Sequence, residues 1–276
     1  AFAAIAADDD AQVASAVARL STEVLAAGEA GTATIPAASL AHLRIAAGQA
    51  APAEAAVVAV MRELDTSGDA ARARRWVPYL LRAKAMRKVV GPRFDGAYTQ
   101  AFRDHFHALD DLPALQTAFW FTADPERAQQ DLRGMLAKAL EDRQVSLAEA
   151  FDLARGQAFV DTYRDAMRLA APLVREDEVR RYRIDEDVLI RTPQGVTLSA
   201  LVALPRAAKA PLPAAMLFTI YADTVDNRAS ALQSAARGYA GVVVDARGKH
   251  LSPDAIAPYE HEGDDGRRDH LARARG

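Results

Sequence analysis

Residues 213–249 constrain this chain more than any other stretch. Two apolar runs without polar alternation, 214–220 and 239–244, flank a segment with Ala229, Leu232, Ala235 and Ala236 at helical spacing. Uninterrupted apolar runs of this length are the signature of strands buried on both faces, and a helical segment between them makes the crossover of a parallel βαβ unit. Gly238 closes the predicted helix and lets the chain turn into the second strand, while residues 223–227 offer capping side chains at its start. Ligands of open α/β sheets bind beyond the carboxyl ends of the strands, so Tyr221 and the loop 245–249 fall where chemistry is expected.

Composition narrows the class of molecule. A chain of 276 residues that is 50% hydrophobic and 26% charged has enough apolar matter for two globular domains. Its net charge of -3 gives no electrostatic case for nucleic acid or an anionic membrane as partner. No apolar run reaches the length of a membrane span. The absence of cysteine excludes disulfides, thiolate metal sites and a Cys nucleophile. The start, Ala1-Phe2-Ala3-Ala4 followed by the polar Asp8-Asp9-Asp10, resembles the small-residue end of a secretory signal peptide. It predicts an exported, periplasmic or secreted protein, with residues 1–9 as signal remnant and linker.

Residues 10–172 read as helical, with no strand signal. Val13, Val17, Leu20, Val24 and Leu25 form one apolar stripe; Leu40, Leu43, Ala46 and Ala47 form another that stops at Gly48. A third helix is predicted to start at Pro52, with Glu54 in its first turn and Val57, Val60, Met61 and Leu64 on its core face. Further helices are predicted over 72–89, 98–109, 113–122, 125–143 and 146–169, the last opened by a capping box of Ser146 and Glu149. Residues 43–64 resemble a tetratricopeptide-like hairpin whose period is not sustained, which makes a non-catalytic helical interaction module the alternative function. Phe119, Trp120 and Phe121, with Trp76 and Tyr79, read as core or domain interface rather than a ligand cage. His105 and His107, two apart, lie on different faces of a helix and do not share a metal; His42 has no evident partner. No cofactor and no metal are predicted.

Near Val174 the composition changes. Arg175-Glu176-Asp177-Glu178 with Arg180-Arg181 reads as a charged linker or solvated face. Residues 187–191, a turn at 192–195 with Pro193 and Gly195, and residues 196–202 make a β-hairpin, followed by a loop over 205–213. The predicted organisation is therefore an α-helical N-terminal domain, 1–175, followed at 176–276 by the N-terminal portion of an α/β-hydrolase catalytic domain, with only the first strands of its sheet. A hairpin, an apolar strand, a crossover helix and another strand form the opening of an α/β-hydrolase sheet, although by pattern alone several doubly wound folds fit.

Several short motifs in order carry a family resemblance. Residues 187–205, the strand end Phe218-Thr219-Ile220-Tyr221, the helix exit Ala236-Arg237-Gly238-Tyr239, Asp245-Ala246-Arg247-Gly248, and Pro258-Tyr259-Glu260-His261-Glu262-Gly263-Asp264-Asp265 resemble the amino-terminal part of the cocaine esterase and X-prolyl dipeptidyl peptidase group of serine hydrolases. The resemblance covers about 184–265 and leaves the helical domain outside. The family has Thr-Pro-Tyr where this chain has Thr219-Ile220-Tyr221, and Asp-Val-Arg-Gly where it has Asp245-Ala246-Arg247-Gly248. What the resemblance implies is acyl hydrolysis of an ester or amide, on a small-molecule or peptide substrate, by a Ser, Asp, His triad. It also implies that Tyr221 donates its hydroxyl to the oxyanion hole. The triad Ser would follow the next helix on a nucleophile elbow, yet no Gly-x-Ser-x-Gly occurs in the sequence. His250 and His261 are therefore loop histidines making hydrogen bonds, not the triad base. Arg247 and Lys249 could bind an anion; pairing of Arg247 with Glu262, Asp264 or Asp265 is the structural alternative.

The family continues with an apolar helix resembling Val-Ile-x-Trp-Leu-Ala-Arg, whereas residues 266–276 have almost no apolar face. With GC-rich codons, residues 268–273 read one base later can give Val-Ile-Thr-Trp-Leu-Ala. A frameshift or a fragment boundary accounts for the missing triad, and the 276-residue chain is expected to hydrolyse nothing by the family mechanism. Sequencing the gene through this point separates the two: an in-frame continuation overturns the frameshift, and esterase activity of the purified chain overturns the expected inactivity.

Overall fold

The computed structural model describes residues 9–88, 93–141, 144–257 and Gly263. They form two compact units. One takes the described residues to Leu109 together with Gln116–Val174; the other takes Asp110–Leu115 and the described residues from Arg175 onward. No helix among the described residues is long and apolar enough to cross a membrane.

The first unit is built from helices α1 (Asp10–Glu29), α2 (Ala37–Ala46), α3 (Ala50–Thr66), α4 (Ala70–Arg74), α5 (Val77–Lys88), α6 (Phe94–His107), α8 (Pro125–Glu141) and most of α9 (Leu147–Arg181). Asp9 caps α1 by accepting from the Ala11 and Gln12 amides, and the predicted stripe of Val13, Val17, Leu20, Val24 and Leu25 is buried against Leu43, Leu132, Leu136 and Leu153. The capping box forms: the Ser146 amide donates to the Glu149 carboxylate at 2.8 Å, and the Glu149 amide to Ser146 Oγ at 3.3 Å.

Three expectations for this unit are corrected. Helix α3 begins at Ala50, so Pro52 occupies its third position, where the missing N–H has no intrahelical partner to lose. Glu54 then leaves the first turn and instead pairs with Arg87 at 3.1 Å. The single helix predicted over 72–89 is two, α4 and α5, broken at Arg75 and Trp76, with Pro78 in the first turn of α5. Residues 113–122 divide between α7 (Asp111–Ala118) and a 3₁₀ turn, Phe119–Phe121.

The second unit holds a mixed sheet of β1 (Tyr182–Arg191), β2 (Thr197–Pro205), β3 (Ala214–Thr219) and β4 (Ala240–Asp245), in the order β1-β2-β4-β3, with α10 (Thr224–Ala235) between β3 and β4. β1 with β2 and β2 with β4 run antiparallel, while β3 and β4 run parallel, Thr219 opposite Asp245. The predicted βαβ unit is thus present. Its two strands differ, however: β4 is buried along nearly its whole length, whereas β3 is the edge, with Met216 and Leu217 exposed. Leu201, Ala203 and Val243 face α10; Leu198, Ala200, Val242 and Val244 form the opposite layer. Gly241 marks the closest approach, since a Cβ there would lie 2.0 Å from the Ala231 carbonyl oxygen of α10.

The charged run is no linker. Residues 175–181 complete α9, which contains Pro172. The reason lies in pairing: Arg181 donates from Nε to Asp177 and from Nη1 to Asp111, each at 2.7 Å, and Arg180 also reaches Asp177 at 2.7 Å. Asp177 and Arg181 are both buried. Arg228 of α10 adds a bond to Glu178 at 2.6 Å and one to Glu186.

Removing one member of such a buried pair strands the other charge. Arg181→Leu is expected to destabilise the sheet unit by about 3 kcal/mol, and Arg181→Leu with Asp177→Leu by clearly less than the two single changes summed. Amide hydrogen exchange of β2 and β4 measures both; additivity of the two substitutions would show that the pair is not coupled.

Candidate active site

The carboxyl ends of β3 and β4 are held together by the Ala246 amide, which donates to the Thr219 carbonyl at 2.7 Å. Two loops leave from here. The first carries Tyr221, whose amide donates to Thr219 Oγ1 at 3.0 Å and whose side chain is 73% exposed. Asp223 then caps α10, accepting from the Val225 and Asp226 amides at 2.9 and 3.0 Å. Asn227, read from sequence as a cap, instead turns inward and donates from Nδ2 to Asp245 at 2.9 Å.

The second loop, 246–257, is stapled to the start of β2. The Thr197 amide donates to Asp254 at 2.7 Å, Ser252 Oγ donates to the Thr197 carbonyl at 2.6 Å, and the same oxygen accepts from the Gly248 amide at 2.9 Å. Gly248 has φ +74°, and a Cβ there would meet the Ile256 amide nitrogen at 2.5 Å, so this position takes only glycine. His250 adopts φ +49°, an uncommon conformation for a residue with a Cβ, inside this stapled loop.

Asp245, His250 and Ser199 come together beneath the strand ends. His250 Nδ1 lies 2.9 Å from Ser199 Oγ and 3.8 Å from Asp245. A catalytic relay needs opposite ring nitrogens for the Ser and the carboxylate, with the Ser open to substrate. Here one nitrogen faces both groups, and Ser199 is fully buried in β2. The cluster is structural, and His250 is a loop histidine holding a hydrogen bond. Burial raises the Asp245 carboxyl above the usual carboxylate range, against the opposing effects of Asn227 and His250. Sequence reading missed Asn227 as a partner of this carboxylate and Ser199 as a partner of His250, because residues that far apart carry no local signal.

His261 and the suggested partners of Arg247, namely Glu262, Asp264 and Asp265, lie outside the described residues, as do residues 266–276. Lys249 donates its amide to the Ala246 carbonyl at 3.0 Å. Among the described residues no cluster of His, Asp and Glu is arranged to hold a metal ion.

The strand-end region falls inside a stretch that is similar to a known family of hydrolases. Residues 194–268 match the profile of the X-Pro dipeptidyl-peptidase (S15 family), and the resemblance read from the motifs holds for that stretch. No curated protein matches the chain.

In the helical unit, His42 and His105 are each pushed down to about 4, chiefly by burial, with Arg155 acting on His42 and Lys84 on His105. A histidine whose folded pKa lies below its unfolded value makes the unfolded state bind more protons between the two, so its contribution to stability is full above about 6.5 and is lost as pH falls toward 4. His42→Phe should therefore flatten the rise of stability between these pH values, by an amount on the order of 3 kcal/mol across the window. NMR titration of the His42 ring checks the cause: a midpoint near 6.5 overturns it.

Proposed function

We propose that this chain carries the oxyanion side of a serine hydrolase of the α/β-hydrolase class, acting by acyl transfer on an ester or amide of a small molecule or peptide. The observation that carries the proposal is the position of Tyr221, in the loop between β3 and α10, inside the stretch that matches the X-Pro dipeptidyl-peptidase family. In α/β-hydrolases that loop supplies one donor of the oxyanion hole, and the residue after the nucleophile supplies the other. An exposed hydroxyl beside the carboxyl ends of two parallel strands suits a donor aimed at a developing negative charge.

The remaining machinery has to come from elsewhere than Ser199, His250 and Asp245, whose geometry is unsuited to a relay. The nucleophile would sit on a Gly-x-Ser-x-Gly elbow that these 276 residues do not contain. The role of the stapled loop is then to hold the end of β4 in place next to the strand end that leads to Tyr221.

In a version carrying that elbow, Tyr221→Phe is expected to lower kcat by about 10²-fold with little change in KM, as loss of one transition-state donor does. Steady-state hydrolysis of an activated aryl ester and of an X-Pro anilide measures it. Unchanged turnover in a folded Tyr221→Phe enzyme would overturn the role.

A further inference from the structure

The helical unit contains a cavity of ≈ 500 Å³ that the acyl-transfer reading does not use. Its walls are rings: His42, Trp76, Tyr79, Trp120, Phe159 and Tyr163. These rings brace one another. His42 stacks on Trp76 with centroids 4.7 Å apart, Tyr79 meets Trp76 at 5.4 Å, and Phe159 meets Tyr163 at 4.4 Å. Tyr163 also donates its hydroxyl to the Trp120 carbonyl at 2.8 Å, which fixes the 3₁₀ turn to α9. The walls are therefore preformed rather than assembled by a guest.

Charge at the cavity is uneven, with Arg75 and Arg155 facing a single carboxylate, Asp131. The Arg75 guanidinium lies 4.7 Å over the Trp120 ring. Arg155 pairs with Asp152 at 3.0 Å, three residues away on α9, with both side chains more than half exposed. Exposed pairs of this kind contribute little, so Arg155 can exchange that partner for a bound anion at small cost. His42, kept neutral by burial and by Arg155, serves as a flat wall rather than a third cation. Gly156, next in sequence to Arg155, lines the same space; a Cβ there would press on Met135 and Leu132 at 3.1 and 3.2 Å. Glycine inside a helix costs about 1 kcal/mol relative to alanine, and here it lets α9 pack close against Leu132 and Met135 of α8.

We infer that this cavity binds a small planar aromatic anion, such as an aromatic carboxylate, with the ring against the Trp76 and Phe159 walls and the carboxylate on Arg155 and on Arg75 where it lies over Trp120. The volume suits a ligand of that size. Flat walls favour ring stacking, and the guanidinium fork matches a carboxylate in two parallel hydrogen bonds. An organic cation is disfavoured, because Arg75 already covers the Trp120 face and Arg155 repels a second positive charge.

Both tryptophans of the sequence line the cavity, so their emission reports its occupancy directly. The test titrates the 276-residue chain with 2-naphthoate, its neutral isostere 2-naphthamide, and 2-naphthylmethylammonium. Saturable quenching by 2-naphthoate is expected, at least about 10-fold tighter than by either comparator. Arg155→Gln, at an exposed position, should weaken 2-naphthoate by about 10-fold and leave 2-naphthamide unchanged. No saturable quenching, equal affinity for acid and amide, tighter binding of the ammonium, or an Arg155→Gln protein that binds 2-naphthoate as the parent does would each overturn the inference. The wild-type comparison of acid with amide decides even if the variant fails to fold.

Discussion

The burial of β4 on both faces is the constraint from which the sheet unit follows. A strand with no solvent face must be apolar throughout, and Val242, Val243 and Val244 supply that run without a polar break. One face has to be closed by a helix, and α10 approaches so near that Gly241 meets the Ala231 carbonyl where any side chain would stand. On the other face Val242 and Val244 lie beside Leu198 and Ala200 of β2 and Ile190 of β1 in one apolar layer. Where the buried strand ends, its first polar residue, Asp245, is still inside the protein and must find partners there.

Those partners organise the strand-end region. Asn227 of α10 and His250 of the following loop reach the Asp245 carboxylate, and Ser199 reaches His250, so helix, loop and hairpin are joined at one point. Ser252 and Asp254 add a second anchorage, on Thr197. The loop beside Tyr221 is thus fixed by polar contacts rather than by apolar packing, and its uncommon backbone at His250 is kept in place by them.

The βαβ unit was legible because its signals are local. Uninterrupted apolar runs, Asp223 before the helix and Gly238 after it, with φ +86°, each act over a few residues. The end of α9 was illegible for the opposite reason. Seven residues of mostly charged sequence look solvated until Asp111, far back in the chain, is known to sit against Arg181. The break between α4 and α5 did have a signal in Pro78, which favours a first helical turn, but the flanking alanine and arginine residues mask it. The aromatic cavity shows the same limit: Trp76 and Trp120 read as core because rings usually bury, and only the helix packing leaves them around open space. Tyr221 could be singled out by its motif and its strand-end position together.

The placement of the two tryptophans has a bearing on how this protein's folding can be watched. Both belong to the helical unit, and the sheet unit has tyrosines but no indole. An unfolding curve followed by indole fluorescence would record the helices alone. If the sheet unit melts first, that curve stays flat through the event, and a single smooth transition would be mistaken for cooperative unfolding of the whole chain. Tyrosine near-ultraviolet dichroism or residue-resolved exchange sees both units, and a mismatch between such probes and indole emission would reveal that they unfold separately.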